Sequence, residues 1–403
     1  MNKVPNLRFS EFSGEWDRKR LSEVATIKGG YAFKSKEFLN SKSTYQVIKM
    51  GNLYQNQLLL DKSPSYKSEI TGKEEEYLLK LGDIIITLTG TVGKKDFGYS
   101  YRITSEENLL LNQRLGLIRN LKNISDNRFL KYTVLGKVFL DQFFESSVGG
   151  TGNQANVSTK NMEQFYIYIP KLEEQEKIAS FFSLIDKKIE LQTEKVEELK
   201  NYKKGLMQKI FSQELRFKDE NGNEYPEWEE CKVKDLFDVT RGVVIAKSEI
   251  SDTSNDIFKY AVYSSQTSNN GILGYDQTFD FDGNYLTWTT DGANAGRVFC
   301  RSGRFRCTNV CGVLVEKNNT IGYANKLVAE ILNKETPKHV SYVGNPKLMN
   351  GVMAEIKLNI PSLEEQTKID KLINQLDIKI ESEQTKLNLL DDYKKGLLQQ
   401  MFI

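Results

Sequence analysis

The chain contains a stretch of about forty residues that occurs twice without a gap, and a repeat of this length indicates duplicated architecture. The two copies are residues 170–211 and 361–402. Their shared motifs are Leu-Glu-Glu-Gln, beginning at Leu172 and Leu363, and Tyr-Lys-Lys-Gly-Leu, beginning at Tyr202 and Tyr393. We therefore expect one structural unit to be present twice.

Both copies have the pattern of a long helix with a seam. Seam residues recur at alternating spacings of four and three, as in helices that pack along each other. They are Ile178, Phe182, Ile185, Ile189, Gln192, Val196, Leu199, Lys203, Leu206 and Ile210, and then Ile369, Ile373, Leu376, Ile380, Glu383, Leu387, Leu390, Lys394, Leu397 and Met401. The seams turn polar at the same two places, and polar seam positions can fix the register of a helix pair.

A globule of similar frame precedes each helix. Leu-Arg-Phe followed by Glu-Trp opens the first at Leu7, and the same motifs open the second at Leu215. An apolar strand leads from each globule into the proline before its helix. We predict an α+β fold with globules at residues 1–170 and 215–360 and helices at residues 171–214 and 361–403.

The composition sets limits on partners and location. The net charge is only +2, so nucleic-acid binding has to come from local patches. No apolar run reaches the roughly eighteen residues of a membrane helix, and the amino terminus has no apolar secretion signal. We expect a cytoplasmic protein without membrane contact.

Two kinds of loop are candidates for contact with nucleic acid. Loops of small and polar residues bring amide, hydroxyl and lysine groups close to phosphates or base edges, and Asn and Gln pair with adenine. The candidates of this kind are Thr89, Thr91, Lys94, Asn153, Gln154, Asn156, Thr290, Asn294, Asn345 and Lys347. Plain surface turns are the alternative for each loop, because none has a full phosphate-loop spacing.

Basic residues interleaved with aromatic residues form the second kind. Candidates are Lys28, Tyr31 and Lys34 in the first globule and Arg241, Lys247, Arg297, Arg301, Arg304 and Arg306 in the second. The last four surround a Ser-Gly pair and predict a basic hairpin. The alternative for these four is an edge hairpin whose charges prevent aggregation, and the alternative for the stretch in the first globule is a solvated turn.

Sequence motifs of catalysis are missing. We find no Walker motif, dinucleotide fingerprint or adenine-methyltransferase motif, and the four cysteines lack the spacing of a zinc site. His339 is the only histidine and has no nucleophile motif nearby. The sequence predicts a chain with no catalytic residues, no metal and no cofactor of its own.

The doubled helix motifs, together with the Leu-Arg-Phe and Glu-Trp openings, resemble the DNA-specificity subunit of a type I restriction-modification system. The resemblance covers essentially the whole chain. It implies two target-recognition domains that each read one half of a bipartite double-stranded DNA site, separated by two antiparallel spacer helices related by a pseudo-two-fold axis. It also implies two methyltransferase subunits with S-adenosylmethionine, and restriction subunits that translocate DNA with ATP and Mg²⁺.

The helix ends are the expected docking sites for the methyltransferase subunits. The residues concerned are Leu172, Tyr202, Leu206, Leu363, Tyr393 and Leu397. A second hypothesis is a structural adaptor whose two globules bind protein partners, which predicts no salt-dependent DNA binding.

Overall fold

The chain forms two compact units in the computed structural model, which describes residues 3–149 and 153–403. Unit 1 is Met1–Thr193 together with Thr385–Ile403, and unit 2 is Glu194–Gln384. Each unit thus combines one globule with a segment of both long helices. In the described residues, no helix is long and apolar enough to cross a membrane.

Unit 1 is built from small sheets and short helices. The strands are β1 Asp17–Arg20, β2 Ala25–Gly29, β3 Tyr45–Ile48, β4 Leu53–Tyr54, β5 Gln57–Leu58, β6 Tyr66–Lys67, β7 Ile84–Thr87, β8 Thr89–Thr91, β9 Ser100–Arg102, β10 Leu109–Leu111, β11 Leu115–Asn120, β12 Val148–Gly149, β13 Gln154–Asn156 and β14 Tyr166–Ile169. The short helices are α1 Gly72–Glu75, α2 Asn127–Thr133, α3 Lys137–Glu145 and α4 Thr159–Glu163, and the long helix α5 Leu172–Phe211 begins in this unit and ends in unit 2. Its main sheet has the order β2-β11-β7-β9.

Unit 2 is organised around one larger sheet. The strands are β15 Glu229–Lys232, β16 Phe237–Arg241, β17 Tyr260–Tyr263, β18 Ile272–Asp276, β19 Phe281–Thr289, β20 Val298–Cys307, β21 Cys311–Glu316 and β22 Lys357–Ile360. The short helices are α6 Val233–Leu236, α7 Lys326–Glu335 and α8 Asn350–Glu355, and the long helix α9 Leu363–Met401 begins in this unit and ends in unit 1. The sheet order is β16-β21-β19-β20-β17-β18.

The two globules share a frame despite their different sequences. In both, the first strand pairs antiparallel with the strand that leads into the long helix, β1 with β14 and β15 with β22. Strand triplets β2-β11-β7 and β16-β21-β19 also correspond. The predicted α+β class with two long helices is confirmed, whereas the exact domain boundaries stay a prediction.

The first turn of each long helix is fixed to its globule by an arginine–glutamate pair. Arg8 donates two hydrogen bonds of 2.7 Å to the carboxylate of Glu174, and Arg216 donates two of 3.4 and 3.0 Å to Glu365. Both glutamates are buried, and a buried carboxylate requires such compensation. The Leu-Arg-Phe and Leu-Glu-Glu-Gln motifs are therefore two halves of one contact.

The glutamine of the same motif connects each long helix to a neighbouring short helix. Gln175 and Gln366 are buried and donate to the carbonyl of the proline before their own helix, at 2.8 and 2.9 Å. Gln175 also accepts from the backbone N–H of Asp126 at 3.0 Å, and Gln366 accepts from the side chain of Asn325 at 2.8 Å. Asp126 and Asn325 are the N-caps of α2 and α7.

In unit 1, an aspartate of α5 is held by a lysine of α9. Lys394 lies 2.6 Å from Asp186, and Lys131 of α2 lies 2.5 Å from the same carboxylate. Burial alone would raise the pKa of Asp186, but the two ammonium groups outweigh it and hold the pKa below its ordinary value. The carboxylate therefore stays ionised.

Unit 2 contains the same arrangement with the helices exchanged. Asp377 of α9 is 2.7 Å from Lys203 of α5 and 3.0 Å from Lys326 of α7. Its pKa is likewise below the ordinary value, because the two lysines outweigh the effect of burial. We call these two groups the aspartate clamps. They explain why the seam turns polar at Lys203 and at Lys394.

The predicted apolar seams are buried at both ends of the helix pair, and the direction of pairing is antiparallel. In unit 1 the early residues of α5 share a core with the late residues of α9, and in unit 2 the reverse holds. The seam residues concerned are Ile178, Phe182, Leu397 and Met401 in unit 1 and Ile210, Ile369 and Ile373 in unit 2.

Removing the carboxylate of a clamp should destabilise the fold. We expect Asp186→Asn and Asp377→Asn each to lower the free energy of unfolding by about 1.5–3 kcal/mol, because two partly buried ammonium groups lose their counter-charge. Denaturant titration at pH 7 measures the effect. Asp392→Asn is the control, since Asp392 forms an exposed pair with Lys395, and it should change little. Equal losses in all three variants would contradict the role of the clamps.

The clamps also predict a dependence of stability on pH. Since the folded pKa of each aspartate lies below its ordinary value of 3.8, the stabilisation is complete above that pH and is lost as the pH falls through the folded pKa. Denaturant titrations on the acid side of pH 3.8 should therefore show a shallower pH dependence in Asp186→Asn and Asp377→Asn than in the wild type. A dependence equally steep in the variants would show that other groups control acid stability.

Candidate nucleic-acid interface

Two loops of the first globule, predicted separately, form one small sheet in unit 1. Strand β13 pairs antiparallel with β8, with Gln154 opposite Thr91 and Asn156 opposite Thr89. Directly opposed residues point to the same face of a sheet, so the four polar side chains share one face. Ala155 between them points inward and is buried. We call Thr89, Thr91, Gln154 and Asn156 the unit 1 polar face.

Side-chain and backbone bonds fix the unit 1 polar face. Asp96 accepts from the hydroxyl and the backbone N–H of Thr91, at 2.7 and 2.8 Å. The bond from the backbone N–H has the larger effect on the pKa of Asp96, and both bonds lower it. The hydroxyl of Thr89 lies 2.9 Å from the sulfur of Met50. Asn153 and Lys94 are exposed at the edge of this surface. Residues 150–152 of the predicted loop lie outside the described residues.

Unit 2 uses the same backbone frame at the corresponding place. The N–H of Leu348 donates to the carbonyl of Thr290 at 2.9 Å, as the N–H of Val157 donates to the carbonyl of Leu88 at 2.9 Å in unit 1. The next residues also correspond, since Lys347 pairs with Asp291 as Asn156 pairs with Thr89. Lys347 thus stands where Asn156 stands in the first globule.

The exposed side chains around Lys347 define the second surface. Asn345 lies in the loop before Lys347, and Asn294 lies in the loop after β19, where its amide donates to Thr267 at 3.0 Å. We call Asn294, Asn345 and Lys347 the unit 2 polar loops. Thr290 does not belong to them, because its side chain is buried and donates to the carbonyl of Val310 at 2.8 Å. In this structure the side chain of Thr290 is therefore not part of the exposed surface, and its contact with DNA stays a prediction.

Sequence reasoning missed the residues that hold these loops. Ser265 accepts from the N–H groups of Thr290 and Asp291, at 2.9 and 3.2 Å, although it lies about 25 residues earlier. Met50 and Asp96 perform the same task in unit 1. None of them belongs to a motif, and only their spatial neighbours reveal them.

The first basic-aromatic stretch is largely used for packing. Lys28 lies 2.8 Å from the carboxylate of Glu76 and 4.0 Å from the ring centre of Tyr77. Tyr31 packs edge-on against Phe33 at 5.0 Å in a small apolar cluster. Lys34 is exposed. Of the three candidates, Lys34 is therefore the one with a solvent-facing side chain and no role in this cluster.

The four arginines of unit 2 do not form a hairpin. Arg301, Arg304 and Arg306 lie on the continuous strand β20, which is flanked by β19 and β17 and is not an edge. The predicted basic hairpin and the alternative of an edge hairpin are both wrong. The Ser-Gly pair, which predicted a turn, is accommodated inside the strand, with Gly303 at a φ of 83°.

The environments of these arginines differ. Arg301 is buried, lies 3.8 Å from the ring centre of Tyr263, and has its pKa lowered by burial. Arg304 is paired with Asp282 at 2.9 Å, and Arg306 is paired with Asp276 at 2.8 Å and also with Asp280. Their charge is thus largely satisfied inside the protein. Arg297, just before the strand, is exposed, as are Arg241 and Lys247.

The predicted docking residues of the long helices fall into two groups. Tyr202 and Tyr393 are 60% and 58% exposed, whereas Leu397 is 7% exposed and belongs to the core of unit 1. Leu206, its counterpart, packs partly buried against the core of unit 2. Leu172 and Leu363 are half-buried. The expectation that Leu397 offers surface to a partner is therefore corrected, because the helix pair itself uses this side chain.

In each unit, the backbone of a glycine-containing loop packs directly against the backbone next to a strand of the main sheet. Gly30 and Gly242 donate to the carbonyls of Leu115 and Cys311, which begin β11 and β21. A Cβ at Gly30 would lie 2.1 Å from the carbonyl oxygen of Asn112, and a Cβ at Gly242 would lie 1.9 Å from that of Cys307. Both positions therefore exclude any side chain.

We expect Gly30→Ala and Gly242→Ala to destabilise the protein by about 1–3 kcal/mol or more, because the added methyl group meets backbone that cannot give way. Denaturant titration measures the change. Gly51→Ala and Gly351→Ala are the controls in the two units, since nothing lies within 4 Å of the added atom. If the test and control substitutions have the same effect, the close approach is not a constraint.

Two similar α+β globules, each with a polar loop surface and each joined to a helix of 40 or 39 residues, define a protein of two repeated modules. The fold is that of a crystal structure of the type I restriction-modification system S subunit from M. genitalium, with a TM-score of 0.62 over 99% of both chains at 16% identity. A chain from a structure on assembly and conformational transition of the type I restriction-modification system matches with a TM-score of 0.53 at 14% identity, over 96% of this chain and 97% of that one.

The family model of the type I restriction modification DNA specificity domain matches residues 13–201 and 225–391. The chain therefore belongs to this family. One Mycoplasma pneumoniae protein, described as a type I specificity subunit, is 37% identical over 258 residues, which are 60% of this chain and 89% of that protein. The specificity subunit of the type I restriction enzyme MpnII from the same organism is 42% identical over 147 residues, which are 36% of this chain and 43% of that protein.

Proposed function

We propose that this chain is the non-catalytic subunit that recognises DNA in a type I restriction-modification complex of the bacterial cytoplasm. Each globule reads one half of a bipartite double-stranded site, and the two long helices set the distance between the readers. The observation that carries the proposal is the correspondence of the unit 1 polar face and the unit 2 polar loops. The same backbone bonds present different side chains, Asn156 in one unit and Lys347 in the other.

The side-chain chemistry supports reading of DNA bases. Amide side chains such as those of Gln154 and Asn156 form two hydrogen bonds with adenine, and lysine donates to guanine. Loops that differ on matching frames let each half of the site change independently. Exposed basic residues such as Arg241 and Lys247 fit contacts to phosphates, which position a protein without reading sequence.

The remaining activities belong, in this proposal, to partner subunits. Two methyltransferase subunits dock on the helix pair and bring S-adenosylmethionine, and restriction subunits bring ATP-driven translocation with Mg²⁺. In the described residues, no cluster of His, Cys, Asp or Glu could hold a metal ion. Tyr202 and Tyr393 are the apolar groups that the repeat exposes at matched positions, and they support docking at these places.

The reading role predicts separate effects on the two half-sites. In complex with the methyltransferase subunits, Gln154→Ala with Asn156→Ala should relax or abolish one half of the methylated sequence, and Lys347→Ala should affect only the other half. Each lost base contact costs about 1–3 kcal/mol of discrimination. Mapping methylated adenines in genomic DNA gives the measurement.

Lys122→Ala is the control for this experiment. Lys122 is exposed and lies just beyond Asn120, the last residue of β11. The unit 1 polar face lies at the other end of this strand, because Leu88, which precedes Thr89, donates to the carbonyl of Arg114, just before β11. A change in both half-sites from one substitution would contradict independent reading. If the globules bind protein partners instead, the wild-type chain will show no salt-dependent binding of DNA.

The docking role predicts a change in stoichiometry. We expect Tyr202→Asp or Tyr393→Asp to remove one methyltransferase subunit, and the double variant to remove both, because a buried charge replaces an apolar contact. Native mass spectrometry counts the subunits. Leu184→Asp and Ile378→Asp are matched controls, since both side chains are exposed on the long helices but have no apolar counterpart in the repeat. Two subunits bound to the double variant would place docking elsewhere.

A further inference from the structure

A cleft in unit 2 between α7 and the second half of α5 concentrates positive charge. It has a volume of about 600 Å³, and Met207 and Phe211 of α5 contribute apolar side chains to its wall. The basic residues that line it are Lys200, Lys203, Lys204, Arg297 and Lys334, against the single acid Glu330. A cleft with such an excess of cations attracts anions.

Part of this charge is balanced within the protein. Lys203 belongs to an aspartate clamp through Asp377, and it also lies 3.5 Å from Glu330. Lys200 pairs with Glu197 at 3.0 Å along the exposed side of α5. These two lysines therefore have carboxylate partners of their own.

Three cations of the cleft have no such partner. Across residues 3–149 and 153–403, no carboxylate forms an ion pair with Lys204, Arg297 or Lys334. The ammonium of Lys334 lies 5.4 Å from the ring centre of Phe211, and the guanidinium of Arg297 lies 5.8 Å from that of Phe299. These contacts orient the groups and leave their charge available.

The corresponding place in unit 1 lacks this charge. Leu398, Gln399 and Phe402 of α9 stand at the repeat positions of Met207, Gln208 and Phe211, and they line a cleft of only about 140 Å³. Its one basic side chain, Lys137, pairs with Asp141. The helix pair can therefore be built without a basic cleft, so the charge in unit 2 is not needed for this packing.

We infer that the cleft binds phosphates of the DNA backbone, next to the bases that the unit 2 polar loops read. Arg297 closes the loop that carries Asn294, and its N–H donates to the carbonyl of Asn294 at 3.1 Å and to the hydroxyl of Thr289 at 3.0 Å. Arg297 therefore lies between the polar loops and the cleft, so that a polyanion bound to the loops can extend past Arg297 into the cleft. The inference rests on the proposed function.

The size of the cleft suits a stretch of backbone. From Lys200 to Phe211 the helix rises by about 16 Å, which equals the axial rise of about five base pairs at roughly 3.4 Å each. Flexible lysines and an arginine along this length can meet successive phosphates. Such contacts set the register of the DNA and add affinity without adding sequence information.

The test replaces the three unpaired cations by Lys204→Gln, Arg297→Gln and Lys334→Gln together in the full chain. Binding to a random-sequence duplex is measured over a range of salt concentrations. We expect the slope of log affinity against log salt concentration to become shallower by about 0.9 for each lost phosphate contact, and by up to about 2.7 for three. In complex with the methyltransferase subunits, the methylated sequence should stay the same.

Lys395→Gln is the matched control, because Lys395 stands at the repeat position of Lys204 in unit 1 and pairs with Asp392 at 3.1 Å. It should leave the slope unchanged. An unchanged slope in the triple variant, with DNA still bound, would overturn the role of the cleft and leave the proposed function intact. A wild-type chain without salt-dependent DNA binding would overturn the proposed function itself.

Two further outcomes would assign the cleft to another anion. In the first, calorimetry shows that inorganic phosphate alone binds the wild type and not the triple variant, while the salt dependence of DNA affinity is the same in both. The site then binds a small phosphate compound. If the slope is unchanged and a methyltransferase subunit no longer co-purifies, the cleft receives an acidic protein surface. Both results contradict binding of the DNA backbone.

Discussion

The arrangement of this protein depends on the pairing of an aspartate in one long helix with a lysine in the other. Each helix carries its clamp aspartate in the first half and its clamp lysine in the second half. In a parallel pair in register, Asp186 would face Asp377 and Lys203 would face Lys394. Like charges in a partly buried seam repel, whereas antiparallel pairing brings each aspartate to a lysine, at 2.6 and 2.7 Å. The charge pattern thus selects the direction that the apolar seam alone leaves open.

The same frame carries different chemistry in the two units because backbone bonds, and not side chains, place the loops. The bond from Val157 to Leu88 and that from Leu348 to Thr290 have equal lengths, although the side chains differ in size and polarity. Substitutions in the loops therefore change the side chains that face the solvent without changing the position of the loop backbone. The glycines at 30 and 242 act in the same way, since they fix a loop by the absence of a side chain.

The sequence predicted the repeat, the helices and the seam, because periodicity and duplication are local signals. It also identified Gln154, Asn156 and Lys347 as residues of polar loops. It did not predict that β8 and β13 pair, since a contact across more than sixty residues leaves no local pattern.

Misjudged burial was the other source of error. Thr290 and Leu397 look like surface residues beside Gly, Asn and Lys, but tertiary packing encloses both. Arg301 is enclosed as well, where it packs over the rings of Tyr263 and Phe299 and donates to the hydroxyl of Thr287 at 3.3 Å.

The division of the chain into compact units affects the order in which it folds during synthesis. Unit 1 is not continuous in sequence, because residues 385–403 complete it. Phe402 stacks on Phe129 with ring centres 5.3 Å apart, and Met401 lies in the same core. A ribosome that has finished the first 193 residues must add about 210 more before these side chains are made, which takes roughly 10 to 40 s. During that interval the nascent first unit exposes an aromatic strip that the last helix will cover. Such a strip is a natural binding place for a chaperone, and unit 2, which lies between the two parts in sequence, is able to close first.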